Sequence, residues 1–240
     1  MDDGVIADAL RSARIVDGEI RSALSPLDQP AGYDSFAASY DRVVGNGLYN
    51  RLVWGADIAA YTGAARTVVD AAAGPMIDVG CGSLVFTHAV YRDVDPRFLL
   101  LTDRSVAMLR RAAHRLPDGQ FLQADAFALP VPDRQFAAVM SWGMLHLFGS
   151  ASGFLAELRR VAAPGAIVAI SVLTLTGRVI GDAMLRQLHR AGEAAVPERH
   201  EDVTAAFARH FSDVSARRHG SMLVLTGHKA AGPGDPGPAA

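Results

Sequence analysis

The chain has 240 residues, 50% of them apolar and 20% charged, with a formal net charge of −2. That balance suits a globular chain with a substantial core, and it excludes a disordered protein or a strongly cationic one that seeks nucleic acid. The single cysteine, Cys81, excludes an intramolecular disulfide and a cysteine-built zinc site.

Residues 1–30 carry mixed charge, end in Pro26 and Pro30, and read as a weak helix followed by an irregular lead-in. The N-terminus lacks the basic patch and apolar run of a signal peptide, and no apolar stretch approaches the ~18 residues needed to cross a bilayer. The expectation is a cytoplasmic protein with no membrane and no nucleic-acid partner, monomeric or homodimeric. From Tyr33 to Ala73 the spacing of Phe36, Tyr40, Val43, Val44, Leu48, Leu52 and Val53 predicts helices, broken at Gly45-Asn46-Gly47.

The centre alternates. Strands are predicted at Met76–Val79, Phe98–Leu101, Gln120–Gln123, Phe136–Ser141 and Ala166–Leu173. Helices are predicted between them at Leu84–Tyr91, from Ser105 to about Arg115, and at Gly153–Ala163 before Pro164-Gly165. Apolar strands alternating with helices predict an open, doubly wound, Rossmann-like α/β fold. Residues 177–210 read as helical. Val214–Arg218 and Met222–Thr226 flank His219-Gly220-Ser221 as an antiparallel hairpin, which brings the expected sheet to seven strands. The predicted organisation is an N-terminal helical lid and lead-in over 1–73, a core over 74–229 with a helical cap near 174–210, and a disordered tail over 230–240.

Four strand ends carry residues that a nucleoside site needs. Asp78-Val79-Gly80-Cys81-Gly82 allows a tight reversal and close backbone approach to a ligand. Asp103 follows at about the ~20-residue spacing of a ribose-binding acid. Asp125-Ala126 can accept from an adenine amino group, and Ser141-Trp142 leads into Gly143-Met144-Leu145-His146. Each signal alone is common in ordinary turns and solvated loops. Their order at four successive strand ends, which this fold brings to one edge, is what points to a ligand site.

With these residues in place, the chain resembles the class I S-adenosylmethionine (SAM)-dependent methyltransferases, in particular the small-molecule branch of ubiquinone/menaquinone-biosynthesis-like enzymes. Ile77-Asp78-Val79-Gly80-Cys81-Gly82 is similar to the family's first motif, and Leu101-Thr102-Asp103-Arg104-Ser105 to its ribose-binding segment. Gln123-Ala124-Asp125-Ala126-Phe127-Ala128-Leu129-Pro130 resembles its adenine loop. Leu158-Arg159-Arg160-Val161 with Pro164-Gly165 resembles the approach to its fifth strand, and Tyr33 to Asp41 its N-terminal lid. The resemblance implies SAM as cofactor, held by Asp78, Gly80, Gly82, Asp103, Arg104, Asp125, Ala126 and Ser141. One residue departs from the family: Leu84 stands where a third glycine is usual, and its side chain could crowd the methionine end of SAM or redirect the turn.

SAM carries an activated methyl, so the protein has mainly to align the nucleophile and exclude water. A general base is needed only for a protonated acceptor. His146 is the candidate for that role, against the plainer reading of a packing histidine. Tyr33 and Tyr40 suit a sulfonium cradle or equally the aromatic packing of a lid. Trp142, Met144 and Phe148 suit an apolar substrate wall, as they would ordinary core. A dinucleotide dehydrogenase fits poorly. Val85 replaces its required glycine, and the only lysine, Lys229, follows Leu225 where a Tyr-x-x-x-Lys pair would need tyrosine. The expected activity is methyl transfer from SAM to an oxygen, carbon or nitrogen of a small, partly apolar metabolite. The alternative is a protein of the same fold that binds SAM or a related ligand without transferring methyl.

Overall fold

Strand β3 (Met76–Val79) sits at the middle of a nine-stranded sheet, paired in parallel with β4 (Leu99–Asp103) on one side and β6 (Phe136–Trp142) on the other. The computed structural model describes residues 4–25 and 41–231 of the chain. Tyr33, Tyr40 and most of the tail fall outside those residues. With β1 (Arg14–Asp17), β2 (Ile20–Ser22), β5 (Gln120–Gln123), β7 (Ala162–Leu173), β8 (Ser212–His219) and β9 (Met222–His228), the strand order is β1-β2-β5-β4-β3-β6-β7-β9-β8. The five central strands are parallel, while β9 runs antiparallel to both β7 and β8.

Alternation along each strand divides the core. Ile77, Val79, Leu100, Leu122 and Val139 pack on one face with α1 (Gly4–Ser12), α4 (Phe154–Val161) and α6 (His200–Ala208). Met76, Leu99, Leu101, Ala138 and Met140 pack on the other with α2 (Ile58–Ala71) and α3 (Val106–Arg115). Both faces are covered, which is why the central strands read as continuous apolar runs. Helix α5 (Val179–Arg190) closes a third cluster with Trp54, Tyr61, Met222 and Val224. No helix among the described residues is long and apolar enough to cross a membrane.

The N-terminal expectation needs correcting. After α1 the chain forms the β1–β2 hairpin, turning at Gly18 (φ +52°), and β2 adds to the sheet in parallel with β5. This makes nine strands among the described residues rather than seven. The outer strand β1 is mostly exposed, so it lacks the apolar pattern that marks the inner strands. The expected helix over Leu84–Tyr91 shrinks to His88–Tyr91. Gly82 (φ +56°) and Leu84 (φ +59°) are both left-handed, and a right-handed helix cannot pass through them.

Strand order reverses at β3, where β4 and β5 lie to one side and β6 and β7 to the other. Ligands of open α/β sheets bind beyond the strand ends at such a switch point.

Candidate cofactor site

A cavity of about 180 Å³ opens at that point. Its floor is the turn after β3. Gly80 (φ +73°) and Gly82 hold backbone angles that a side chain disfavours. A Cβ on Gly80 would stand 2.5 Å from Met144 Sδ, so this backbone is bare on the side that faces the cavity wall.

Asp103, at the end of β4, joins three elements. Its Oδ2 accepts from Gly82 N at 2.9 Å and its Oδ1 from Ser105 N at 2.8 Å. Ser105 then caps α3, its hydroxyl accepting from Met108 N at 3.2 Å. A carboxylate is an acceptor-only group that suits ligand hydroxyls. Beyond β5, Asp125 accepts from Phe127 N at 2.9 Å and pairs with Arg104 at 3.0 Å, and both members of the pair line the cavity. Ala126 lines it as well.

The opposite wall is apolar: Trp142, Met144, Leu147 and Phe148. Phe148 meets Phe127 edge-on at 4.8 Å between ring centroids, and both rings pack on Phe154. The structure thus brings nine of the expected site residues to one cavity, Gly80, Gly82, Asp103, Arg104, Asp125, Ala126, Trp142, Met144 and Phe148, and Ser105 lines it as well.

Three expected site residues are placed elsewhere. Ser141 faces into the sheet, because alternation along β6 puts it opposite Trp142. Its buried hydroxyl donates to Val79 O at 2.7 Å. Asp78 is wholly buried and off the cavity, accepting from the Tyr91 hydroxyl at 2.8 Å. Burial, with Asp103 nearby, pushes its carboxyl up to about 7 against the bond from Tyr91. His146 lines a separate small cavity with Val172, Leu173, Leu185 and Val203. Its Nδ1 is buried without a hydrogen-bond partner, and desolvation lowers the ring to about 4. His146 thus stands away from the glycine-turn cavity, in a pocket whose lining also includes Glu198.

Leu84 does not crowd the cavity. Its side chain is 1% exposed and joins Cys81, Val90 and Tyr91 in the core beneath the turn. The missing glycine is replaced by a left-handed leucine whose side chain points away from the cavity.

Two supports have no obvious mark in the sequence. Arg160, on α4, donates to the carbonyls of Leu129 and Val131 at 2.9 and 2.8 Å and pairs with Glu157 and Asp133, each at 2.7 Å. Glu157 in turn accepts from Leu129 N. This hub fixes the loop that carries Asp125. Asp41 accepts from Ser83 Oγ and pairs with Arg115 at 2.8 Å and Arg111 at 3.2 Å, tying the segment before α2 to the glycine turn and α3.

Residues 76–165 match the family model for a methyltransferase domain. A fatty-acid O-methyltransferase of Mycolicibacterium smegmatis is 33% identical over 38% of this chain and 34% of its own length. A trans-aconitate 2-methyltransferase of Methylobacterium nodulans is 35% identical over 42% of this chain and 39% of its own. The chain thus matches little more than a third of the length of either relative. Among solved structures, a SAM-dependent methyltransferase of Thermotoga maritima superposes with a TM-score of 0.60 at 16% identity, over 82% of this chain and 97% of that one. The fold is the methyltransferase fold. The (4+2)-cyclase SpnF shares it, with a TM-score of 0.63 at 17% identity over 83% of this chain and 94% of that one.

Proposed function

We propose that this methyltransferase-fold protein transfers a methyl group from SAM to a small, partly apolar acceptor. The observation that carries this reading is the continuity of the cavity. Bare glycine backbone, Asp103 and the Asp125 loop form a nucleoside end, and it passes directly into the wall of Trp142, Met144, Leu147 and Phe148. These residues fit the cofactor: carboxylates for hydroxyl and amino donors, and an apolar surround that excludes water from the transfer. SAM supplies the electrophilic methyl, and the protein's own part is orientation and desolvation.

The acceptor follows from what the wall lacks. Among the described residues lining the cavity, the charged side chains are Asp103, Arg104 and Asp125, all at the nucleoside end. Among these described residues no side chain at the apolar wall can take a proton from the acceptor. One that is already anionic at neutral pH needs none. We therefore assign the acceptor as the carboxylate oxygen of an acid with an apolar body. The names of the fatty-acid and trans-aconitate methyltransferases agree with a carboxylic acid. The test begins with calorimetric titration against SAM, its demethylated product and NAD. Transfer of labelled methyl is then measured to aliphatic carboxylic acids and, in parallel, to phenols and amines. Labelling of acids alone is expected, and labelling of phenols alone would overturn the carboxylate assignment.

The second reading, a ligand-binding protein or cyclase on this fold, is supported by the likeness to SpnF. It predicts SAM binding with no labelled product from any acceptor class.

A further inference from the structure

Asp78, Tyr91 and Trp142 come from three separate elements: β3, the short helix His88–Tyr91 and the end of β6. Strand pairing brings two of them together, since Asp78 is in register with Met140, two residues before Trp142 on the same face. Tyr91 fits between them, 1% exposed. An indole N–H can only donate, so the direction of the chain is fixed. Trp142 Nε1 donates to the Tyr91 hydroxyl oxygen at 3.0 Å, and that hydroxyl donates onward to Asp78 Oδ2 at 2.8 Å. Its other acceptor, Met140 Sδ, is a longer 3.6 Å away. The far oxygen of Asp78, Oδ1, is buried without a partner.

Of these three side chains Trp142 alone reaches the cavity, where its ring is part of the wall that also holds Met144 against the glycine turn. We infer that Tyr91 is a positioning residue of this cavity, its single hydroxyl fastening the Trp142 indole, and with it the wall beside the glycine turn, to the buried Asp78 carboxyl. Without that hydroxyl the indole N–H loses its acceptor, and a half-buried ring has one restraint fewer on its orientation. Asp78 then acts on the ligand through Tyr91 and Trp142 rather than by touching it.

The linkage carries a signature of its own. The groups facing Asp78 are Tyr91, Cys81 and Asp103. Burial lifts the Tyr91 phenol and the Cys81 thiol well above their ordinary values, so both stay neutral from pH 5.5 to about 8.5. Asp78, at about 7, gains its charge within that window. A charged acceptor strengthens the bond from Tyr91, and the environment of Trp142 shifts with it.

The consequence for binding rests on the proposed cofactor site, whereas the linkage itself can be read without any ligand. The chain has two tryptophans, so a Trp54→Phe background leaves Trp142 as the sole indole emitter. The expected result is an emission change with a midpoint near pH 7, absent from both Tyr91→Phe and Asp78→Asn. The Tyr91→Phe variant should still melt cooperatively, and its SAM dissociation constant should rise about three- to tenfold, the loss of roughly one hydrogen bond. If Trp54→Phe does not fold, the same comparison is made as difference spectra against the wild-type protein. If Tyr91→Phe does not fold, Asp78→Asn, which keeps an acceptor for Tyr91 but cannot titrate, decides alone. Emission that is flat with pH in the parent, or a step that survives in either variant, overturns the inference. A parent that binds no SAM yet shows the step, with the step lost in the variants, overturns the proposed function and supports the linkage.

Discussion

Gly82 donates its backbone N–H to Asp103 Oδ2 at 2.9 Å, so the glycine turn and the acid after the next strand are one hydrogen-bonded unit. With Ser105 N on the other oxygen, the carboxylate is held before any ligand arrives. Replacing Asp103 with alanine should therefore have two effects. Two backbone donors lose a charged acceptor, and the melting temperature of the ligand-free protein should fall by several degrees, reflecting about 1–3 kcal/mol. SAM affinity, measured by calorimetry, should fall at least tenfold as the ribose hydroxyls lose a charge-assisted partner. An unchanged melt would show that Asp103 is an ordinary solvated acid.

Leu84 poses a question that magnitudes decide. A leucine at φ +59° carries about 1–2 kcal/mol of backbone strain that glycine would relieve. The same side chain is 1% exposed, and truncating a buried leucine costs about 2–5 kcal/mol. The cavity term is the larger, so Leu84→Gly should lower stability in urea unfolding by about 1–3 kcal/mol despite restoring the family's usual glycine. SAM affinity should change little, since Leu84 does not line the cavity. A stabilised variant would mean that the turn, not the core beneath it, controls this position.

The apolar runs of β3, β4, β5 and β6 were legible because burial on both faces leaves no polar alternation. The site residues were legible wherever a strand end and a turn coincide, as at Gly80, Asp103 and Asp125. The β1–β2 hairpin was missed because β1 is an exposed outer strand, although Asp17-Gly18 between Val16 and Ile20 is a hairpin turn signal. Ser141 and Trp142 are neighbours in sequence yet lie on opposite faces of β6, and a strand end read without its register cannot separate them. The Asp41 and Arg160 clusters join residues far apart in sequence, and no local pattern announces such partners.

Asp78 and His146 should tilt the stability–pH curve in opposite directions. Asp78 lies near 3.8 in the unfolded chain and about 7 in the fold, so between those values the folded protein holds a proton that the unfolded chain has released. Its contribution is full below 3.8 and is lost as pH rises through 7. His146 falls from 6.5 to about 4, so there the unfolded chain binds the extra proton and stability is lost as pH falls. In urea titrations, Asp78→Asn should gain on the wild type between pH 5 and 8 by on the order of 2 kcal/mol. His146→Asn should gain on the wild type as pH falls from 6.5 towards 5. Parallel curves for wild type and variant would show that the group in question does not differ between the two states.

Arg160 is expected to matter more than its partly exposed surface position suggests. Its partner Glu157 has a side chain only 9% exposed, and alanine at 160 would leave that carboxylate with the Leu129 amide alone. Removing one member of a buried pair costs about 3 kcal/mol or more. The loop carrying Asp125 would also lose two carbonyl anchors. Arg160→Ala should therefore lower the melting temperature, and hydrogen exchange should rise selectively over residues 124–135. Exchange that rises evenly across the sheet would show that Arg160 supports the fold as a whole and not this loop.

Asp41 gives a prediction for the segment that leads into the core. Burial opposes its charge, but the bonds from Ser83, Arg115 and Arg111 outweigh that and hold its carboxyl below 3.8. A depressed carboxyl stabilises the fold above its unfolded value, and that contribution is lost as pH falls through the folded one. Asp41→Asn keeps an acceptor for the Ser83 hydroxyl but leaves Arg111 and Arg115 without their shared anion. The variant should lose about 1–3 kcal/mol at pH 7 and show a shallower decline than the wild type below pH 4. Because Ser83 lies in the glycine turn itself, SAM affinity at pH 7 should fall with it, and 1 M salt should narrow the difference between variant and wild type by screening the ion pairs. If affinity is unchanged while stability drops, Asp41 fastens the segment before α2 without shaping the turn.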